Sequence, residues 1–501
     1  MLSPRELSYE DLPGKSWINE RLVYTHGIGL AMGPVSGITR EGLPEFYIKD
    51  IPPVSSVGLK VTRPEIYYGE NTNEYVIAKT KVKEFSYPTK EGNVYTHYEG
   101  RGGVVLNSFF KRLLFAAKFG SLKIVLSSDI TRESRIIYYR NILERAQRLA
   151  PFLAYDPDPY MVLSPEGKLY WVLDGYSYSD RMPYSSPYRG GFNYLRNPVK
   201  VLIDAYDGTV EFYVVDPKDI IVRTYRKVYP SLFKDSSEMP DFLRAHIRYP
   251  RALLKVQAEM YTLFHMTDPR VFYNREDQWE IPTYRGSHME PYYVILKLPE
   301  GSREEFVLLL PFTPAKRDNL AAWMAARSDD PHYGEIIIYT FPRDRLVFGP
   351  RQIEARIDQD AYISQQLTLW GQRGSDVIRG SLLIVPIKKT LLYVQPLYLV
   401  ATQRVGLPEL RRVIVAHEDK VVMKQTLEEA IEELFGLMPM KKEKTLQEEA
   451  LLPGEDSMKQ ALQFLEKARS ALRQEDWQGF GRYLKEAERT LKKAVERGGK
   501  K

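Results

Sequence analysis

Three pairs of aspartates are the residues most able to do chemistry. Asp156 and Asp158 lie in AYDPDPY, Asp174 and Asp180 in LDGYSYSD, and Asp204 and Asp207 in IDAYDG. Carboxylates helped by backbone carbonyls are what hard divalent cations such as calcium or magnesium take as ligands. The same cluster, with or without a cation, is the material a hydrolase would use. Aspartate before proline or glycine is equally ordinary turn chemistry. A second candidate is the stretch from Tyr176 to Tyr194, long for a loop and rich in tyrosine and arginine. Tyr176, Tyr178, Arg181, Tyr184, Tyr188, Arg189 and Tyr194 would supply the broad, rigid contact area favoured in recognition surfaces. The alternative is a loop packed on its own aromatic rings.

Other motifs carry less. HGIGLAMG at residues 26–33 has the glycines of a dinucleotide loop, but the last falls one residue late and no strand-turn-helix surrounds it, so it reads as a tight turn. Ser231 and Lys234 have serine–lysine nucleophile spacing without the companion motifs. The sequence has no Walker loop, no HExxH and no GxSxG. The seven histidines never fall at ligand spacing and read as structural or surface residues.

The element that must position the aspartates is a hairpin at residues 198–215. Asp207-Gly208 is a two-residue turn signal, which would set Ala205 opposite Val210 and Asp204 opposite Glu211. One face then carries Val201, Ile203, Ala205, Val210, Phe212 and Val214, an apolar surface for the main core. On the other face two carboxylates confront each other, which is destabilising unless compensated. Full solvation, a bridging arginine (Arg181, Arg189 or Arg196) or a cation shared by Asp174, Asp204 and Glu211 would each resolve the conflict.

Around the hairpin, residues 1–60 read as irregular, and 64–69 and 74–80 as strands. A helix follows the glycines at 100–103 and runs to Gly120, with Phe109, Phe110, Leu113 and Leu114 on its apolar side. The spacing of Ile136, Ile137, Leu143, Ala146 and Leu149 predicts a helix over 131–150, whose other face (Arg132, Arg135, Arg140, Arg145, Arg148) reads as solvated. Pro240 and Pro250 open helices. Residues 291–312 read as a hairpin, 317–328 as a helix, 334–349 as a strand pair and 351–371 as one long helix. Strands around Lys388-Lys389 and a hairpin about Glu418-Asp419 follow. Thr426 and Glu429 then form a capping box for a helix stopping at Gly436. Residues 438–455 read as a linker, and 456–501 as a helical hairpin in which Leu462, Leu465 and Leu472 meet Trp477, Phe480 and Leu484. Helices and strands do not alternate regularly, so the class is α+β with mixed, largely antiparallel sheets.

Composition bounds the function. With 501 residues, two or three domains are expected. The chain has no cysteine, which excludes disulfides and zinc–thiolate sites. Its net charge of +6 reads as small and scattered, against a nucleic-acid surface. No apolar run reaches the ~18 residues of a membrane span. Twelve of the 35 tyrosines fall in residues 155–229, so aromatic surface concentrates there.

Several long phrases carry a family resemblance: LSPRELSYEDLP, LVYTHGIG, GLPEFYIKDIPP, NPVKVLIDAYDGTVEFYVVDP, YNREDQW, HYGEIIIYTFP, QIEARIDQD and LLYVQPLYL. Over about residues 2–437 the chain closely resembles the soluble portion of an uncharacterised family of large bacterial and archaeal multi-spanning membrane proteins. The resemblance implies several membrane helices ahead of this region and an extracytoplasmic position for it. This chain would then be an excised domain with an added Met1, or a paralogue without the membrane helices. The family supplies no catalytic residues to carry over. The expected function is an extracytoplasmic binding or scaffolding domain, with the membrane-embedded part of the same protein or neighbouring membrane proteins as partners. A peptide or polymer ligand would also fit, and a hydrolase built on the aspartates is the alternative.

Overall fold

The computed structural model describes residues 1–436 apart from 13, 40, 300, 302, 343, 372–374, 388–389 and 402–407. The chain divides into two units, Met1–Gly436 and Leu437–Lys501. The expected linker at 438–455 and helical pair at 456–501 lie outside the described residues.

The first unit is α+β, as expected, with three larger sheets. Small two- to four-stranded sheets are built mostly from residues 1–105, with Arg135–Ile137 completing one and 283–288 forming another. Helix α1 (Phe109–Phe119) starts at Ser108, whose hydroxyl accepts the Lys111 amide, and ends at Gly120 with φ 62°. A short helix α2 (Lys123–Leu126) follows. The expected long helix at 131–150 is instead a strand, Arg135–Ile137, then a helix, Ile142–Leu149. The β-branched pair Ile136-Ile137 is held between strands on both sides. Asn141 then caps the helix by accepting the Leu143 and Glu144 amides.

The central sheet has six strands and is antiparallel except for one edge. Its long members are β1 (Leu169–Ser179), β2 (Tyr194–Asp204) and β3 (Val210–Val214). The hairpin face of Val201, Ile203, Ala205, Phe212 and Val214 lies in one large core with Tyr67, Tyr68, Ile142 and Trp171. The turn differs from expectation. Ile203 pairs with Val210 and Leu202 with Glu211, so the register is moved by two residues. Asp204 is the cause: its carboxylate accepts the amides of Tyr206 and Asp207, holding a wider turn in which only Gly208 is left-handed, φ 68°. A shift of two preserves which face each side chain takes, so the core face stands while Asp204 no longer opposes Glu211.

A five-stranded antiparallel sheet at 279–340 and another at 375–424 share a second core with helix α3 (Arg251–Phe264) and Pro350–Gln359. The hairpins at 292–314 and 409–424 are as expected. So are the Thr426 cap and the Gly436 stop. The expected helix at 317–328 is the strand Ala322–Arg327, paired on both sides, which overrides alanine's helical preference. Only one strand, Ile336–Thr340, occupies 334–349. The long helix at 351–371 is two, interrupted at Asp360, where ψ is 119° and the carboxylate caps Ile363. Among the described residues no helix is long and apolar enough to cross a membrane.

Candidate functional site

The aspartates do not converge. Asp174 faces Lys200 and Asp204 faces Tyr170 across the β1–β2 pair, four residues or roughly 13 Å apart along the strand. Asp174 is bonded to Lys200, and both side chains are buried. Glu211 accepts from Lys234 Nζ at 2.6 Å and from the Tyr213 hydroxyl at 2.6 Å. Burial raises the Glu211 pKa, but these two donors outweigh it and leave the group below its ordinary value. Burial raises that of Asp204 despite its two backbone donors. The basic partners are thus Lys200 and Lys234 rather than Arg181, Arg189 or Arg196. Asp158 meets Arg248 at 2.9 Å, and Asp156 accepts from the Tyr176 hydroxyl. No group of three metal-ligating side chains comes together among the described residues.

The tyrosine-rich stretch divides into anchors and free surface. Tyr176 belongs to β1 and is buried; burial, then Asp174 and Asp156, push its pKa far up and keep it a hydrogen-bond donor. Tyr194 opens β2 and donates to the buried Asp219 at 2.6 Å, which also accepts from Ser177 and caps the next helix at Val222. Tyr178, Arg181 and Tyr184 are exposed. Tyr188 stacks on Phe192 at 5.3 Å, and Arg189 reaches Glu259 of α3 with two bonds, 2.7 and 3.1 Å.

That last contact marks the rim of a cleft of about 640 Å³. One wall is a single face of α3, Lys255, Glu259 and Thr262, at helical spacing. The opposite wall is Gln278–Ile281 with the turn at Gly286–Glu290. Trp279, Ile281 and Met289 make its base apolar, and Trp279 is fixed by stacking on His265 at 3.8 Å. Two ion pairs flank the opening, Arg189–Glu259 and Lys255–Glu290 at 2.5 Å. Arg189 and Glu290 are largely exposed, while Glu259 and Lys255 are more covered. The cleft thus has an apolar base and charged side chains at its mouth. Of the seven recognition residues expected, Arg189 lines this cleft. Trp279, Lys255, Glu259 and Glu290 belong to it without any sequence signal, because they come from segments distant in the chain.

A second polar cluster, also unforeseen, is sealed. Glu84 has no exposure and accepts four bonds, from Thr25 at 2.5 Å, Tyr67 at 2.6 Å and the amides of Lys79 and Tyr98. Arg140, expected on a solvated face, is equally buried; it donates to the carbonyls of Tyr67, Glu74 and Thr25 and to the Tyr9 hydroxyl. His26 lies 2.9 Å from the Thr25 hydroxyl. Burial and then Arg140 hold it down to about pKa 3, so it is neutral. Glu84 and Arg140 are each hydrogen-bonded from within, whereas the buried His26 Nε2 has no partner.

The described body is thus antiparallel α+β with a loop-rimmed cleft. Residues 1–370 match an uncharacterised protein family, UPF0182, and the chain belongs to that family. A UPF0182 protein of Geotalea uraniireducens is 57% identical over 498 residues, covering 99% of this chain and 56% of the relative. One of Geobacter sulfurreducens is 57% identical over 494 residues, covering 98% and 55%. A more distant one, of a Sulfurovum species, is 48% identical over 512 residues, covering 99% and 56%. The chain thus spans a little over half the length of the curated relatives it matches. No solved structure matches it.

Proposed function

We propose that this chain is the extracytoplasmic binding and scaffolding part of a longer membrane protein, and that it holds an extended peptide or polymer segment in the cleft beneath the tyrosine-rich loop. The observation that carries the reading is the cleft itself, with its fixed Trp279 base, its two ion pairs and the loop that lends Arg189 to its mouth. Exposed tyrosines at 178 and 184 continue the contact surface outward. Scaffolding is supported by apolar side chains exposed at Phe46, Ile51, Val54 and Val57, the kind of surface expected in residues 1–60 of a docking domain. A hydrolase built on Asp174, Asp204 and Glu211 has less support, since each carboxylate is engaged by a different partner.

The test is thermal unfolding with a randomised decapeptide pool and, separately, a soluble neutral glucan. A guest that binds only the folded state raises the unfolding temperature. The parent chain is expected to respond to one of the two, and the double variant Arg189→Ala/Glu259→Gln to lose most of that response. A parent that responds to neither at millimolar concentration, or a variant that responds equally, would overturn the cleft as the site.

A further inference from the structure

Helix α1 is apolar on two sides. Phe115, Ala116 and Phe119 pack inward against Tyr75, Ile77 and Ile124. Phe109, Phe110, Leu113 and Leu114, the side expected to seek the core, face solvent; Phe109 is 68% exposed. They recur at helical spacing along one face. Helix α2 extends the surface with Leu122 and Leu126, the latter 78% exposed. Six large apolar side chains so exposed within eighteen residues form a patch of the kind that marks an interaction site.

The charge around the patch says what covers it. From Gly100 to Ser128 there is no acidic residue, and Arg101, Lys111, Arg112, Lys118 and Lys123 are all basic. Residues 100–128 alone carry five basic side chains and no acidic one, against a surplus of six for the whole chain. The positive charge read as scattered is therefore concentrated beside this face. Lys118 stands over the rings of Tyr138 and Tyr139 and donates to the Tyr139 hydroxyl at 3.0 Å, and Arg148 lies over Tyr139 at 3.8 Å. Tyrosine rings carrying cations beside an apolar face match the boundary between lipid headgroups and acyl chains. A protein partner of ordinary composition would not call for this uniform sign of charge.

We propose that α1 and α2 form an interfacial docking face for an anionic phospholipid bilayer, with the six phenylalanines and leucines entering the headgroup boundary and the lysines contacting lipid phosphate. The face shares no residue with the cleft, so either assignment can fail alone.

The experiment is flotation of the full chain with vesicles of pure phosphatidylcholine and of phosphatidylcholine containing 30% phosphatidylglycerol, at low and at high salt. Those vesicle fractions are chosen because a polybasic surface gains affinity with each anionic lipid and loses it on screening. Strong binding to the anionic vesicles is expected, falling about tenfold or more at high salt. Phe110→Asp/Leu114→Asp should abolish binding at either salt, and Lys118→Gln/Lys123→Gln should weaken it only at low salt. All four positions are at the surface, so far-ultraviolet circular dichroism of the variants should match the parent. Absence of binding to anionic vesicles, or binding that survives Phe110→Asp/Leu114→Asp, would overturn the proposal. So would a parent dimer that the same variant dissociates while vesicles are ignored, which would make the face a protein interface.

Discussion

Removing the Lys200 ammonium should be among the costliest single changes in this chain. Its side chain has no exposure and that of Asp174 only 3%. Lys200 also donates to the Arg248 carbonyl at 3.2 Å. Lys200→Met keeps most of the stem in place but strands a carboxylate and a carbonyl in a sealed site. Breaking one side of a buried pair costs about 3–5 kcal/mol. Two acceptors are abandoned here, so a value near the top of that range, about 4–5 kcal/mol, is expected. Replacing both partners removes the stranded charge, and such replacements are often neutral or better. Asp174→Leu/Lys200→Met should therefore lie within about 2 kcal/mol of the parent, far less than the two single losses together. Urea unfolding followed by tryptophan fluorescence suits the measurement, because Trp171 is buried in the strand that carries Asp174. Lys200→Met within about 1 kcal/mol of the parent, or a double variant as damaged as the sum of its singles, would refute the reasoning.

Phe212→Ala should cost about 3–5 kcal/mol, since the ring is 1% exposed in the main core and meets Phe233 edge-on at 6.1 Å; a variant as stable as the parent would remove the hairpin from the core. His26 sets a pH dependence. It stays neutral in the fold down to about pH 3, whereas the unfolded chain takes up a proton at its ordinary value of 6.5. The unfolded state therefore binds more protons below pH 6.5, and stability falls by about 1.4 kcal/mol per pH unit from there toward pH 3. His26→Gln should flatten the stability profile between pH 4 and 6 by that amount per unit, and an unchanged slope would contradict the burial of a neutral ring.

An unbroken set of apolar residues at alternate positions of 199–214 made the hairpin legible and assigned its core face correctly. Its turn was not legible, because Asp207-Gly208 advertises a shorter loop than the one Asp204 stabilises. That error moved Asp204 two residues and manufactured a carboxylate confrontation that the fold does not contain. The buried pair left a signal in hindsight, a lone lysine and a lone aspartate each inside an apolar strand, as in NPVKVLID and WVLDGY. Arg140 left none, since five arginines spaced over 132–148 look like one solvated face until Ile136 and Ile137 are known to be in a strand. Helix α1 was found but turned the wrong way: with apolar residues on both sides, periodicity alone does not say which side is inward. The cleft was half visible, its loop conspicuous by composition and its walls assembled only by tertiary folding.

Arg140 has a consequence for how the chain is made. Its guanidinium joins the carbonyl of Thr25 to that of Tyr67, and the amides of Tyr67 and Tyr68 in turn end on Ala205. On a ribosome adding 5–20 residues per second, Thr25 would wait roughly 6–23 s for residue 140 to appear, and Tyr67 several seconds longer for residue 205. Through that interval Leu22, Leu30 and Ile48, all destined for full burial, wait for core partners made later in the chain. These residues are thus completed only by partners made well after them. Slowing translation before residue 140 should lengthen the time the nascent chain spends sticky, in the hands of whatever chaperone meets it first.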